Sequence, residues 1–152
     1  MQTAGNLLNL KLHRAGTLES TSSEIFFPAD IEGHNGTDGR FYLLDLQRVM
    51  PPTAPVKGGP NAQYLYRLFR SEFLQRLKYP LSSDTFSNFE IKDPNREQHK
   101  EQVRDATKHL IETIPVIVAN IEASCEFNDQ TKLGELVSML HKYGINIRYL
   151  AI

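Results

Sequence analysis

A chain of 152 residues with 40% hydrophobic and 23% charged side chains has the size and balance of one folded domain, which excludes a disordered or low-complexity protein. The formal net charge of -1 excludes bulk attraction to nucleic acid or to an anionic membrane and leaves only local patches to consider. The single cysteine, Cys125, excludes an internal disulfide, fits a reducing compartment, and reads as a small buried apolar residue.

The opening residues, MQTAGNLLNLKL, lack a basic stretch followed by a continuous apolar one, so they do not read as a signal peptide. No window approaches 18 uninterrupted apolar residues, so membrane insertion is not expected. The expected location is the cytoplasm, for the chain itself or for a longer protein of which it is a piece.

Up to about Pro60 the chain is strand-and-turn material, and beyond it the pattern turns helical. Residues 6–12 fit either a helix end or a strand start. Residues 17–23 are rich in Ser and Thr and read as a loop. Residues 24–28 (EIFFP) form a short apolar run that Pro28 ends. Residues 33–39 (GHNGTDG) hold three glycines, and Asp38-Gly39 signals a hairpin turn. Residues 40–49 (RFYLLDLQRV) make the best strand, expected to pair with residues 28–33. Residues 51–60 read as an extended, Pro-rich surface loop. Asn61 then caps an expected helix over 61–79, with Leu65, Leu68, Phe69, Phe73 and Leu77 on its apolar stripe, stopped by Pro80.

Residues 81–95 read as a loop with at most one helical turn. A helix from about Asn95 carries Val103, Ala106, Leu110 and Ile114 on its buried stripe. Pro115 is expected to break or kink it, with Thr113 as a new cap and a further helical stretch to about Glu126. Asp129 is the expected cap of the last helix, with Leu133, Leu136, Val137 and Leu140 facing inward and Gly144 at its end. Residues 145–152 alternate and predict a short C-terminal strand returning to the hairpin. The expected class is α+β: a hairpin-containing sheet followed by a helical half.

Polar density around the hairpin is the main chemical feature. Asp45 sits inside LLDLQR, and a mid-strand aspartate needs a reason. The simpler reading is a structural polar cluster of Asp38, Arg40, Asp45, Arg48 and Arg148, with Asp45 buried against one of the arginines. The sharper alternative takes Asp30, Asn35 and Asp45 in order, as kinase-like phosphotransferases order a catalytic Asp, a metal-binding Asn and a metal-binding Asp. No Gly-rich nucleotide loop followed by a lysine strand accompanies them, so that reading is at most a degenerate catalytic lobe. The five histidines are scattered, with His99 and His109 read as solvated, and neither HExxH nor CxxC occurs. No metal and no cofactor are expected. Arg67, Arg70, Arg76 and Lys78 interleave with aromatic residues over 61–79 and are the candidate RNA contact, weighed against a plain solvated face.

The run Asp30-Ile-Glu-Gly33, then Gly36-Thr-Asp-Gly-Arg40, Tyr42-Leu-Leu-Asp-Leu46 and Arg48 with Pro51-Pro52 resembles the hallmark of the Clu domain of clustered-mitochondria proteins. Asn9-Leu-Lys-Leu-His13 and the terminal His141 with Gly144-Ile-Asn-Ile-Arg-Tyr-Leu150 are similar to flanking elements. The resemblance implies a single Clu-like domain over 1–152, a fragment of a large multidomain cytoplasmic protein. It implies a role in mitochondrial distribution and association with messenger RNA and the translation machinery. The tetratricopeptide array of that family is not in this chain. The expected function is a non-enzymatic interaction module whose partners are other domains of the parent protein, with messenger RNA bound only weakly by this domain alone.

Overall fold

The computed structural model describes residues 1–124 and 132–151; side chains at 124, 132, 133, 150 and 151 are outside the description. The expectations for Cys125, Asp129 and the Leu133 side chain therefore fall outside the described residues. Helix α1 (Gln2–Leu7) leads into β1 (His13–Ala15), which pairs antiparallel with β2 (Ser23–Ile25), His13 opposite Ile25. A second antiparallel hairpin joins β3 (Glu32–Asn35) to β4 (Phe41–Leu44). Then come α2 (Ser71–Leu74), the long α3 (Arg96–Ser124) and α4 (Lys132–Lys142), with 3-10 turns between them. Two small sheets followed by helices make the α+β class expected of the sequence.

The core joins both halves. Leu10, Leu74, Leu81, Val103, Leu110 and Ile145 are each at most 2% exposed and belong to one cluster. Leu10 and Leu81 form an isolated parallel bridge, which pins the chain start to residues far along it. Asn9 completes that junction: its Nδ2 donates to the carbonyls of Leu74, Leu77 and Tyr79, closing the C-terminal end of the α2 region.

The hairpin turn forms where Asp38-Gly39 predicts it. Gly39 has φ 77°, a conformation that favours glycine, and Asp38 accepts from the Arg40 amide and the Tyr42 hydroxyl. The partner of β4 is Glu32–Asn35, with Glu32 opposite Leu44, so the pairing begins later than residues 28–33. The strand also stops at Leu44, not Val49, because Asp45 takes φ 55° and turns the chain into the 3-10 turn Leu46–Arg48.

Four other expectations need correction. Residues 61–79 are not one helix: a 3-10 turn spans Gln63–Leu65, Leu68 bridges back to Pro52, and only Ser71–Leu74 is α-helical. That bridge and the burial of Pro51, Pro52 and Thr53 also make the start of the Pro-rich segment interior. Of the break or kink expected at Pro115 the break does not occur: helix α3 continues through it, although Pro115 lacks the N–H that would bond the Ile111 carbonyl. Both residues are exposed, so water can serve that carbonyl, and Thr113 donates to the carbonyls of His109 and Leu110 within the same helix. The tail is a 3-10 turn, Ile147–Ala151, not a strand. Its Ile145 and Tyr149 are buried as core residues while Ile147 is exposed. Gly144 ends α4 as expected, with φ 79°.

Candidate functional site

The 81–95 segment, legible only as a loop, is the most buried polar stretch of the described chain. Ser82, Ser83, Asp84, Thr85, Ser87 and Glu90 are each at most 1% exposed. Short hydroxyl side chains allow this, because they reach backbone carbonyls, two of them local and one across the chain. Thr85 donates to the Ser82 carbonyl, Ser87 to the Asp84 carbonyl, and Ser83 to the Val49 carbonyl. The segment lies along β1: the Gly16 amide donates to the Phe89 carbonyl and the Arg14 amide to Asp93.

Asp84 is the centre of a buried charge network. Its Oδ1 accepts from Arg48 Nη2 at 2.9 Å, and its Oδ2 accepts from the Ala29 amide at 2.9 Å and lies 3.0 Å from His13 Nε2. Arg48 forks onto Asp30 as well, with Nε to Oδ2 at 2.7 Å and Nη2 to Oδ1 at 2.9 Å. Its guanidinium carbon lies 5.5 Å from the Tyr64 ring centre and 5.6 Å from that of Phe89. The Arg48 hydrogen bond and charge hold the Asp30 carboxyl below the usual carboxylate range, against the opposing effect of burial. Burial disfavours protonated His13, yet the Asp84 hydrogen bond, the Lys11 carbonyl and the charges of Asp84 and Glu90 raise its pKa above the ordinary 6.5.

A second group adjoins it. Glu90 Oε1 accepts from Ser82 Oγ at 2.8 Å and lies 2.6 Å from His99 Nδ1. Asp93 Oδ2 is 4.0 Å from the same nitrogen. Asp93 also accepts from the Asn95 amide, fixing the approach to α3.

The residues expected to form one polar cluster occupy separate places. Asp38 and Arg40 pair at 3.8 Å on the exposed hairpin turn. Arg148 donates to the carbonyls of Tyr66 and Leu68. Asp45 is exposed and forms no ion pair among the described residues, which corrects the buried pairing expected for it. Its reason is conformational: aspartate tolerates the left-handed region better than most residues. That bend carries Arg48 from the hairpin into the interior, and Arg48 alone of the five joins the network. The triad Asp30, Asn35 and Asp45 does not converge either. Asn35 pairs with Phe41 at the turn end of the hairpin, while Asp45 follows the opposite end and Asp30 is held by Arg48.

The candidate RNA contacts form no basic helix face. Arg70 pairs with Glu72 at 2.9 Å, and Arg76 donates to the carbonyls of Lys142 and Tyr143. Arg67 is half-buried, and Lys78 is exposed. Sequence reasoning missed His13, Asp84, Glu90, Asp93 and His99. His99, expected to be solvated, is buried; His109 is exposed, as expected. The one available signal was Asp84 among small hydroxyl residues flanked by Leu81 and Phe86.

On the other side of the Asp45 bend the polarity inverts. Phe41 is 80% exposed, and Tyr42, Leu43, Leu44 and Leu46 are exposed too. Among the described residues no third strand joins this hairpin. No helix there is long and apolar enough to cross a membrane.

Residues 1–55, which hold the hairpin, the Asp45 bend and Arg48, match the family model described as clustered mitochondria. Two curated relatives named clustered mitochondria protein homolog are similar to the chain. That of Meyerozyma guilliermondii is 25% identical over 178 aligned positions, covering 87% of this chain. That of Yarrowia lipolytica is 28% identical over 167 aligned positions, covering 93% of it. The chain spans 14% of the length of each of these relatives. No solved structure matches it. The resemblance to the Clu domain carried by Gly36-Thr-Asp-Gly-Arg40 is thereby borne out, over the N-terminal part that contains it. Asp84, Glu90, Asp93 and His99 lie beyond the family match.

Proposed function

We propose that the chain is a non-enzymatic interaction module of a longer, clustered-mitochondria-like protein of the cytoplasm, docked through the β3–β4 hairpin onto other domains of that protein. The carrying observation is the exposed apolar hairpin, with Phe41 at 80% exposure and Leu43, Leu44 and Leu46 open beside it. A two-stranded hairpin is marginally stable alone, and contiguous exposed apolar surface marks an interaction site. Burying one such side chain fully contributes about 1.5–3 kcal/mol. The buried network supports the same reading as a fixed platform: Arg48, anchored to Asp30 and Asp84, ties down the end of the hairpin's last strand.

The implied cellular role is mitochondrial distribution. Messenger-RNA and translation association, which the resemblance implies, are here assigned mainly to the longer protein, with weak RNA affinity in this domain. Phosphate binding needs several free cations on one face, whereas Arg70 and Arg76 are engaged within the chain.

The test is a calorimetric titration of the chain with the remainder of its parent protein, expressed as a separate polypeptide. Specific association, weakened at least about tenfold by Phe41→Asp with Leu43→Asp, is expected; about tenfold corresponds to 1.4 kcal/mol. Association that is absent, or indifferent to both substitutions, overturns the reading.

A further inference from the structure

Glu90, Asp93 and His99 are all buried, and one ligand-capable atom of each lies within 4.8 Å of the others. Carboxylates and histidine this close often form a simple hydrogen-bonded group, and the 2.6 Å contact between His99 Nδ1 and Glu90 Oε1 would satisfy one. It leaves a remainder. Glu90 is 0% exposed, yet its second oxygen, Oε2, has no hydrogen-bond partner among the described residues. An ionised carboxylate oxygen without a partner is costly in the interior. Burial lowers the Lys11 pKa against the opposing charges of Asp93 and Glu90, and its ammonium hydrogen-bonds Gln102. Asp93 keeps spare acceptor capacity beyond the amides of Arg14 and Asn95, since a carboxylate offers about four lone-pair positions.

We propose that Glu90, Asp93 and His99 form a divalent-metal site, with Zn²⁺ as the ion and a structural role as the consequence. One imidazole nitrogen and two carboxylate oxygens supply three of the four donors that tetrahedral Zn²⁺ takes at about 2.0–2.2 Å, and a water fills the fourth position. The metal takes the place of the proton on His99 Nδ1, and the buried Glu90 carboxylate gains a cation. The ligands come from three different pieces of chain: the 3-10 turn Asn88–Glu90, the turn after it, and the first helical turns of α3. A metal there ties the buried 81–95 segment to the longest helix. The proposal is independent of hairpin docking, and its failure would leave that reading untouched.

The experiment uses the whole chain, stripped with a chelator, dialysed, and titrated with Co²⁺ as a spectroscopic probe and with Zn²⁺ by calorimetry. The expected result is one metal per chain, ligand-field absorption with Co²⁺, and a melting temperature raised by Zn²⁺, since a ligand of the folded state stabilises it. Glu90→Gln and His99→Gln should each weaken binding at least about tenfold, a loss that even outer-sphere changes reach. His34→Gln, which removes the exposed His34–Glu32 pair at 3.0 Å, should leave binding unchanged. If either core variant fails to fold, the wild-type Co²⁺ spectrum and the His34→Gln control still decide. A featureless Co²⁺ titration with equal melting in Zn²⁺ and chelator overturns the proposal. So does binding that vanishes in His34→Gln.

Discussion

The β3–β4 hairpin and the 81–95 segment break the inside-outside rule in opposite directions. The hairpin strand Phe41–Leu44 is built of aromatic and branched residues and faces solvent along its whole length. The 81–95 segment is rich in Ser, Thr, Asp and Glu, and much of it is sealed from solvent. The difference teaches that hydropathy alone does not assign burial. Apolar side chains need a second layer to cover them. Small polar side chains can be buried wherever backbone carbonyls and neighbouring side chains supply their hydrogen bonds.

The comparison breaks most sharply at Asp84. Asp84→Ala leaves Arg48 and His13 buried without their shared carboxylate, and removing one partner of a buried pair typically costs about 3–5 kcal/mol. Urea denaturation should show that loss; a loss under about 1 kcal/mol would mean the network is not structural. Phe41→Asp, on the apolar side, should change stability by no more than about 0.5 kcal/mol while weakening the docking described above. A hydrophobic strand tolerant of charge and a polar segment intolerant of its loss are the two halves of one claim.

Asp45 sharpens it further. As an exposed residue at φ 55°, it should lose at most about 1–2 kcal/mol on substitution with Ala and almost nothing with Gly. A buried ion pair would instead penalise both substitutions about equally, so the difference between the two melting curves separates the accounts.

His13 supplies a pH test of the same network. Its pKa is raised on folding, so the stabilisation is fully present below the unfolded value of about 6.5 and is lost as pH rises through the folded value. Stability differences between wild type and His13→Gln should narrow from pH 5.5 to pH 8.5, about one unit and two units either side of that value. A gap that widens with pH would contradict the assignment. The smallest effect is expected for RNA: labelled single-stranded RNA should bind weakly at low salt and be lost at physiological salt. Removing the charges of Arg67, Arg70 and Arg76 should move that weak binding only slightly. Tight binding that survives physiological salt would restore a basic interface.

The local features were legible in the sequence because they depend on few residues. Asp38-Gly39 sets the hairpin turn through a positive φ that glycine tolerates, and Gly144 sets the end of α4 in the same way. The apolar stripe of α3 shows in Val103, Ala106 and Leu110, all buried. The family block is a contiguous run and is visible in one dimension. What only the tertiary structure decided is which distant groups meet. Residues 61–79 carry a helical pattern, but Leu68 bridges Pro52 and the Arg67 carbonyl accepts from the Thr53 amide, so cross-chain hydrogen bonds replace helical ones. The tail alternates like a strand, yet among the described residues no sheet edge receives it, and Ile145 and Tyr149 reach the core through a 3-10 turn instead. Arg48 meets Asp84 across 36 positions, and His13 meets it across 71. Pairing over such separations leaves no period in the sequence, because the partners are fixed by how β1, the hairpin base and the 81–95 segment pack, not by spacing along the chain.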